Sequence, residues 1–175
     1  MIVLGVQRNN PNVKMPKYRT DKTACFDICF SPTHDNVYGF DKNNQHFIRD
    51  LTITDKKSIY LHPGDRIQMP TGLSFKLSFQ YSMETFADIT REKEEARQFS
   101  VRLYTNPVTA FSTGLKLMCD TIVDVDNQHE VFVILQNTSE ITQIIMEGNV
   151  IARGEVLVNE MVSITEIIDN NNKKV

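Results

Sequence analysis

Three segments of the chain contain residues whose types and spacing could support chemistry. The first is Ala24-Cys25-Phe26-Asp27-Ile28, in which a carboxylate lies inside an apolar run and needs a hydrogen bond, an ion pair or a metal. The second is Ser112-Thr113-Gly114, a pattern that suits a concave turn whose backbone N–H groups bind phosphate oxygens. In the third, Asp124 and Asp126 lie two residues apart on a predicted strand, so both side chains share one face and one could orient a water as general base.

Each segment also has a simpler interpretation. Asp27 could face solvent at the end of a strand, and Ser-Thr-Gly is a common turn sequence. The stretch Asp126-Asn127-Gln128 could simply form a hairpin turn. Taken one at a time, the three segments leave both interpretations open.

The elements that must position these residues are mostly short strands. Segments such as Leu73–Phe79 alternate apolar and polar residues, and turn signals recur every 8–12 residues, which predicts an all-β sandwich or barrel. Residues 36–50 are expected to form a hairpin with a polar tip. The only helix that we predict spans Met83 to Phe99, which contains no Gly or Pro and has a thin apolar stripe typical of a surface helix.

Length and composition restrict the class of protein. The 175 residues, 41% hydrophobic and 23% charged, suit one globular domain. A net charge of −3 argues against duplex nucleic acid as a partner, and no apolar run has the roughly 20 residues of a membrane span. Three cysteines without a CxxC pair predict a reduced, cytoplasmic protein, and four scattered histidines argue against a zinc deaminase site.

The order of several motifs is more informative than any single motif. The motifs are Ala24-x-x-Asp27-Ile28, Pro63-Gly64-Asp65, Pro70-Thr71-Gly72-Leu73, Ser112-Thr113-Gly114-Leu115, Val123-Asp124-Val125-Asp126 with Glu130-Val131 and Asn137, and Gly148-Asn149-Val150-Ile151-Ala152. Together they resemble the trimeric dUTPase / dCTP deaminase superfamily over roughly residues 13–158. This resemblance implies a twisted β-barrel (β-clip) domain that assembles as a homotrimer with active sites between subunits.

The resemblance implies hydrolysis of dUTP to dUMP and pyrophosphate, with Mg²⁺ assisting water attack on the α-phosphate. It assigns Asp124 to orienting the water and contacting the deoxyribose, with Asn127 in the position of the nucleoside-packing aromatic residue. Asp27 would hold the hydrated Mg²⁺ through water. Ser112, Thr113 and Gly114 would bind phosphate, and Arg153 stands where the family has a phosphate-contacting Gln.

The chain departs from the family pattern at several functional positions. Ser112 replaces the arginine of the second motif, and His129 replaces a glycine of the third. The glycine-rich arm that closes over the nucleotide has no counterpart after residue 160. Arg102 or Arg153 could supply the missing cation. These departures motivate the alternative hypothesis of a catalytically degenerate scaffold that binds a nucleotide or a protein.

Domain organisation follows from the same pattern. We predict one domain over residues 1–160, with insertions at about 33–57 and 81–100, and a C-terminal tail over 161–175. The inserted hairpin or helix could bind a protein partner. Insertions and many asparagines resemble viral or phage versions of the family. A third hypothesis is an unrelated all-β assembly protein, such as a capsid or baseplate component.

Overall fold

The structure is a computed structural model that describes residues 2–79, 97–124, 127 and 129–160. Within these residues the chain forms fifteen strands and one short helix. The first nine strands are β1 (Ile2–Arg8), β2 (Lys17–Tyr18), β3 (Phe26–Cys29), β4 (Asn36–Phe40), β5 (His46–Asp50), β6 (Thr52–Ile53), β7 (Lys57–Leu61), β8 (Arg66–Pro70) and β9 (Leu73–Phe79). The others are β10 (Arg97–Tyr104), β11 (Leu115–Leu117), β12 (Thr121–Asp124), β13 (Phe132–Asn137), β14 (Gln143–Met146) and β15 (Val150–Glu160), with the helix α1 (Pro107–Thr113) between β10 and β11.

The strands form two five-stranded sheets and two smaller ones, and their pairings are antiparallel. The first sheet has the order β12-β10-β15-β3-β2 and the second has the order β11-β13-β8-β4-β5. A three-stranded sheet, β14-β7-β6, and the pair β1-β9 complete the described part. The predicted all-β class is therefore confirmed.

One hydrophobic core joins these sheets, because each strand turns alternate residues inward. Along β13, Val133 and Leu135 are buried whereas Phe132 and Ile134 are exposed. Phe26 and Leu103 from the first sheet belong to the same buried cluster. The largest fully buried side chains of this cluster include Phe26, Phe30, Ile28, Ile59, Leu61, Ile67, Met69, Leu73, Leu103 and Leu135. Burying each such side chain contributes about 1.5–3 kcal/mol to folding.

The predicted hairpin is present, and its tip is formed by side-chain hydrogen bonds. Strands β4 and β5 pair from Asn36 opposite Asp50 to Phe40 opposite His46. The Asp41 carboxylate accepts hydrogen bonds of 2.8 Å from the backbone N–H groups of Asn43 and Gln45. These bonds stabilise a tight turn in which Asn44 adopts a positive φ of 63°.

The helix prediction is wrong at its C-terminal end. Residues 97–99 belong to β10, in which Phe99 lies opposite Val158 of β15 and is buried. Cross-strand pairing and burial outweigh the helix propensity of this short segment. Residues 83–96 of the predicted helix and the predicted tail over 161–175 lie outside the described residues. Among the described residues, no helix has the length and apolar character needed to cross a membrane.

Candidate functional site

Asp27 lies on the outer face of the first sheet, with basic residues on both sides. Its Cα is opposite Arg153 of β15 and Lys17 of β2, and directly opposite residues of an antiparallel pair point to the same face. The neighbouring residues Phe26 and Ile28 point the other way and are buried. The alternation of side chains along β3 therefore places the Asp27 carboxylate on the outer face of the sheet, with Lys17 and Arg153 on the neighbouring strands.

The Asp27 carboxylate contacts two guanidinium groups. Arg19 Nε donates to Oδ2 at 2.9 Å, and Arg153 Nε lies 3.7 Å from Oδ1. The hydrogen bond to Asp27 raises the pKa of Arg19 above its usual value, so this guanidinium remains charged. We define the basic cluster as Lys17, Arg19 and Arg153 around Asp27. The sequence left open whether Asp27 is paired or faces solvent, and in the structure its carboxylate is paired with cations.

Tyr104 extends this row of residues by one strand. It lies opposite Arg153 on β10, and its hydroxyl is hydrogen-bonded to Cys25 Sγ. Burial, with the Cys25 hydrogen bond as the second cause, raises the pKa of Tyr104 to about 12. The phenol is therefore neutral near pH 7 and leaves the positive charge of the basic cluster unchanged.

The Ser112-Thr113-Gly114 segment is the end of a helix instead of the expected concave turn. Asn106 caps the start of α1 by accepting a hydrogen bond from Val108 N, and Pro107 occupies the first turn. Gly114 ends the helix with a φ of 72°, and its N–H donates to the Ala110 carbonyl. Asn106-Pro107 at the start of the helix and Gly114 at its end form a helix signal that sequence reasoning missed.

The donors of this segment are used inside α1. Thr113 Oγ1 donates to the Thr109 carbonyl at 2.6 Å, and Ser112 Oγ donates to the Val108 carbonyl at 2.9 Å. A phosphate group at this segment would have to compete with these internal hydrogen bonds. The C-terminal end of a helix also carries partial negative charge, which is unfavourable for an anion.

Asp124 is the last residue of β12, and its side chain is exposed. In the described part of the chain, no hydrogen bond or ion pair engages its carboxylate. Its backbone carbonyl accepts a hydrogen bond from Asn127 N, and the Asn127 side chain accepts one from His129 N. The turn after β12 thus holds Asn127 close to Asp124, whereas Asp126 lies outside the described residues.

One chain does not bring Asp27 and Asp124 together. Asp124 lies opposite Ser100 of β10, and Ser100 lies opposite Leu157 of β15. Leu157 is four residues along β15 from Arg153, which lies opposite Asp27. Three strand spacings across the sheet and four residues along it separate the two carboxylates by about 20 Å. A site that uses both would need Asp124 from another copy of the chain.

The other candidate cation, Arg102, already has acidic partners. Its Nε donates to Asp120 Oδ2 at 3.0 Å and its Nη2 to the same oxygen, while Nη1 lies 4.0 Å from Glu155. Arg102 is therefore neutralised locally, whereas Arg153 shares Asp27 with Arg19. Of the two arginines singled out in the sequence, Arg153 is the one in the basic cluster.

The surroundings of Asp27 do not fit a Mg²⁺ ion. Among the described residues, no three His, Cys, Asp or Glu side chains form a group that could hold a metal. Mg²⁺ prefers carboxylate oxygens and water, but each oxygen of Asp27 faces a guanidinium group. A divalent cation would add charge to a cluster in which two guanidinium groups already contact one carboxylate.

A cavity of about 310 Å³ opens beside the basic cluster. Among the described residues that line it, Arg19 is the charged one and none is a carboxylate. The polar lining side chains are those of Asn106, Thr109, Thr113, Gln143 and Asn149. Sequence reasoning missed Arg19, because its link to Asp27 comes from the return of the chain between β2 and β3.

Comparison with known proteins yields matches in structure only. No protein-family profile matches the sequence, and no curated protein sequence matches it significantly. The dUTPase of Streptococcus mutans matches with a TM-score of 0.55 at 14% identity, over 94% of this chain and 98% of that one. A mutant dUTPase from phage phi11 of S. aureus, described with a coordinated structural Mg(II) ion, matches with a TM-score of 0.63 at 11% identity, over 97% and 99%.

A third match is a mutant of the Staphylococcus bacteriophage 80alpha dUTPase in complex with dUpNHpp. Its TM-score is 0.63 at 11% identity, over 99% of this chain and 95% of that one. These three matches cover nearly the whole of each chain, although the identities are low. The chain is therefore a divergent protein with a dUTPase-like fold.

Proposed function

We propose that the chain is a divergent deoxynucleotide triphosphate hydrolase, with dUTP as the expected substrate, that acts as a homotrimer. The observation that carries this proposal is the basic cluster around Asp27, on the outer face of a sheet in a dUTPase-like fold. Arg19 and Arg153 would hold the phosphate groups, because guanidinium forks match phosphate oxygens. Ser112, Thr113 and Gly114 would add contacts only after giving up hydrogen bonds within α1.

Asp124 of a neighbouring copy would complete the site. Its exposed carboxylate would orient a water molecule, take one of its protons and direct its oxygen at the α-phosphorus. The bond from the α-phosphorus to the bridging oxygen breaks, so dUMP forms and pyrophosphate leaves. Asn127, held beside Asp124 by the turn after β12, would contact the nucleoside. A second copy of the chain is needed because the two carboxylates are too far apart in one chain, and the proposed homotrimer would supply it.

Hydrolysis is tested by pyrophosphate release from dUTP and from each of the four standard dNTPs, with and without Mg²⁺. We expect dUTP to be the best substrate of the wild type and Asp124→Asn to reduce turnover about 10²–10⁴-fold, the contribution usual for a general base. The matched control is Asp120→Asn, since Asp120 contacts Arg102 away from the basic cluster. Absence of turnover for every dNTP at micromolar enzyme would refute the catalytic proposal.

A catalytically degenerate binding scaffold is the second candidate. It is favoured by the hydrogen bonds that engage Ser112 and Thr113 and by the poor fit of Asp27 to Mg²⁺. The phage 80alpha dUTPases are described as controlling transfer of virulence genes by a G protein-like mechanism, so a regulatory role for such a fold has a precedent. Binding of dUpNHpp without turnover of dUTP would favour this candidate over the hydrolase.

A further inference from the structure

The basic cluster has donor groups that nothing in the described part of the chain occupies. Arg19 uses Nε for Asp27, which leaves the N–H groups of Nη1 and Nη2 without a protein acceptor. Arg153 approaches Asp27 only at 3.7 Å and makes no other polar contact within the described residues. By contrast, Arg49 donates to Asp65 and Arg102 donates to Asp120. Within the described residues, Arg19 and Arg153 therefore keep most of their guanidinium donors free.

The charges of the cluster do not balance. Lys17, Arg19 and Arg153 contribute three positive charges, and Asp27 contributes one negative charge. The next carboxylate on this face, Glu155, lies 4.0 Å from Arg102, which also contacts Asp120. An excess of about two positive charges remains in a chain whose net charge is −3.

Arg153 and Asp27 are partly withdrawn from water, whereas Arg19 is exposed. The Arg19 side chain is 42% exposed and that of Arg153 is 24% exposed, while Asp27 between them is 18% exposed. Partial burial strengthens the attraction of Arg153 for an anion. The Asp27 carboxylate orients the Arg19 guanidinium through a hydrogen bond and lies 3.7 Å from that of Arg153. In the described part of the chain, the lining of the cavity beside Arg19 contains no carboxylate that would repel a phosphate chain.

We propose that this cluster binds the phosphate chain of a nucleotide, or free pyrophosphate, directly and without a divalent cation. This inference deepens the proposed function and rests on it for the identity of the nucleotide. The two guanidinium groups supply the positive charge that a hydrated metal would otherwise bring to Asp27. Asp27 is then a positioning residue, which aligns Arg19 and Arg153, and Lys17 adds charge at the edge of the cluster.

Isothermal titration calorimetry with inorganic pyrophosphate and with dUpNHpp tests the proposal, each in EDTA and in Mg²⁺. We expect binding of pyrophosphate in EDTA, with a dissociation constant that Mg²⁺ does not lower. Arg19→Gln and Arg153→Gln should each weaken this binding about tenfold or more, because each removes a charged donor pair. Arg102→Gln is the matched control on the same sheet and should bind as the wild type does.

The possible outcomes separate this inference from the proposed function. Pyrophosphate binding that appears only with Mg²⁺, or that survives both Arg19→Gln and Arg153→Gln, would overturn the metal-free site even if dUTP is hydrolysed. Metal-free binding that both variants abolish would support the site even if no dNTP is turned over. Circular dichroism and thermal unfolding of each variant identify any loss of binding caused by misfolding, and Arg19→Lys, which keeps the charge, then provides a second test.

Discussion

The buried ion pair between Arg49 and Asp65 shows how much one residue can matter to this fold. Arg49 Nη1 donates to Asp65 Oδ2 at 2.7 Å, and the His62 N–H donates to the same oxygen at 3.0 Å. The Asp65 side chain is only 4% exposed, and Arg49 also stacks on the Phe47 ring, 4.2 Å from its centroid. The pair therefore connects the β4–β5 hairpin to the turn before β8.

Arg49→Ala should destabilise the protein by about 3–5 kcal/mol, because it leaves the Asp65 carboxylate buried without a cation. The exposed Arg102–Asp120 pair offers a matched comparison, and Arg102→Ala should lower the free energy of unfolding by about 0–1 kcal/mol. Urea unfolding of the two variants measures the difference. If the two substitutions lowered the free energy of unfolding equally, burial would not be what makes the Arg49–Asp65 pair important for stability.

At the scale of elements, the short helix α1 depends on Asn106, the residue that caps its start. Asn106 is buried, and its Oδ1 accepts a hydrogen bond of 3.0 Å from Val108 N. A helix of seven residues is too short to be stable alone, so its cap and its packing must hold it in place. Asn106, Thr109 and Thr113 also line the cavity beside Arg19, which makes the helix part of the candidate site.

Asn106→Ala should lower the free energy of unfolding by about 1 kcal/mol through loss of the cap, whereas Asn106→Ser, which retains a capping oxygen, should lower it less. Chemical denaturation compares the two variants. If Ala and Ser at this position were equally stable, the capping hydrogen bond would not be the reason why Asn106 is needed.

The elements also show what sequence patterns can and cannot predict. Alternating burial on strands such as β13 and the polar tip of the β4–β5 hairpin are local features, and both were predictable. Residues 97–99 were assigned to a helix because their pairing with β15 depends on residues about 60 positions away. Of the basic cluster, Asp27 and Arg153 could be found through motif resemblance, but Arg19 could not, since only the register of β2 and β3 brings it there.

At the scale of the whole molecule, one sheet has an exposed apolar face. On the second five-stranded sheet, Tyr38, Ile48 and Ile134 are 51%, 57% and 41% exposed. A cavity of about 670 Å³ on this face is lined in part by Tyr38, Phe40, Met118 and Ile134. Soluble monomers rarely expose large continuous apolar patches, so this face is where we expect copies of the chain to pack in the proposed trimer.

Sedimentation equilibrium should give the mass of three chains at micromolar concentration. Ile134→Lys should shift the distribution toward the monomer, because a charge on this face would be buried between copies. Ile141→Lys is the control, since Ile141 is 66% exposed and lies outside the second sheet. A wild-type monomer at this concentration would contradict the proposed assembly.

In the proposed trimer, one site combines the basic cluster of one copy with Asp124 of another. The most direct test mixes two impaired variants, Arg153→Gln and Asp124→Asn, by co-expression and measures pyrophosphate release at a dUTP concentration below the KM of the wild type. In randomly mixed trimers, about a quarter of the sites receive an intact Arg153 from one copy and an intact Asp124 from its neighbour, so about a quarter of the wild-type activity should return. Activity that stays at the level of the separate variants, beside an active wild type, would contradict the account.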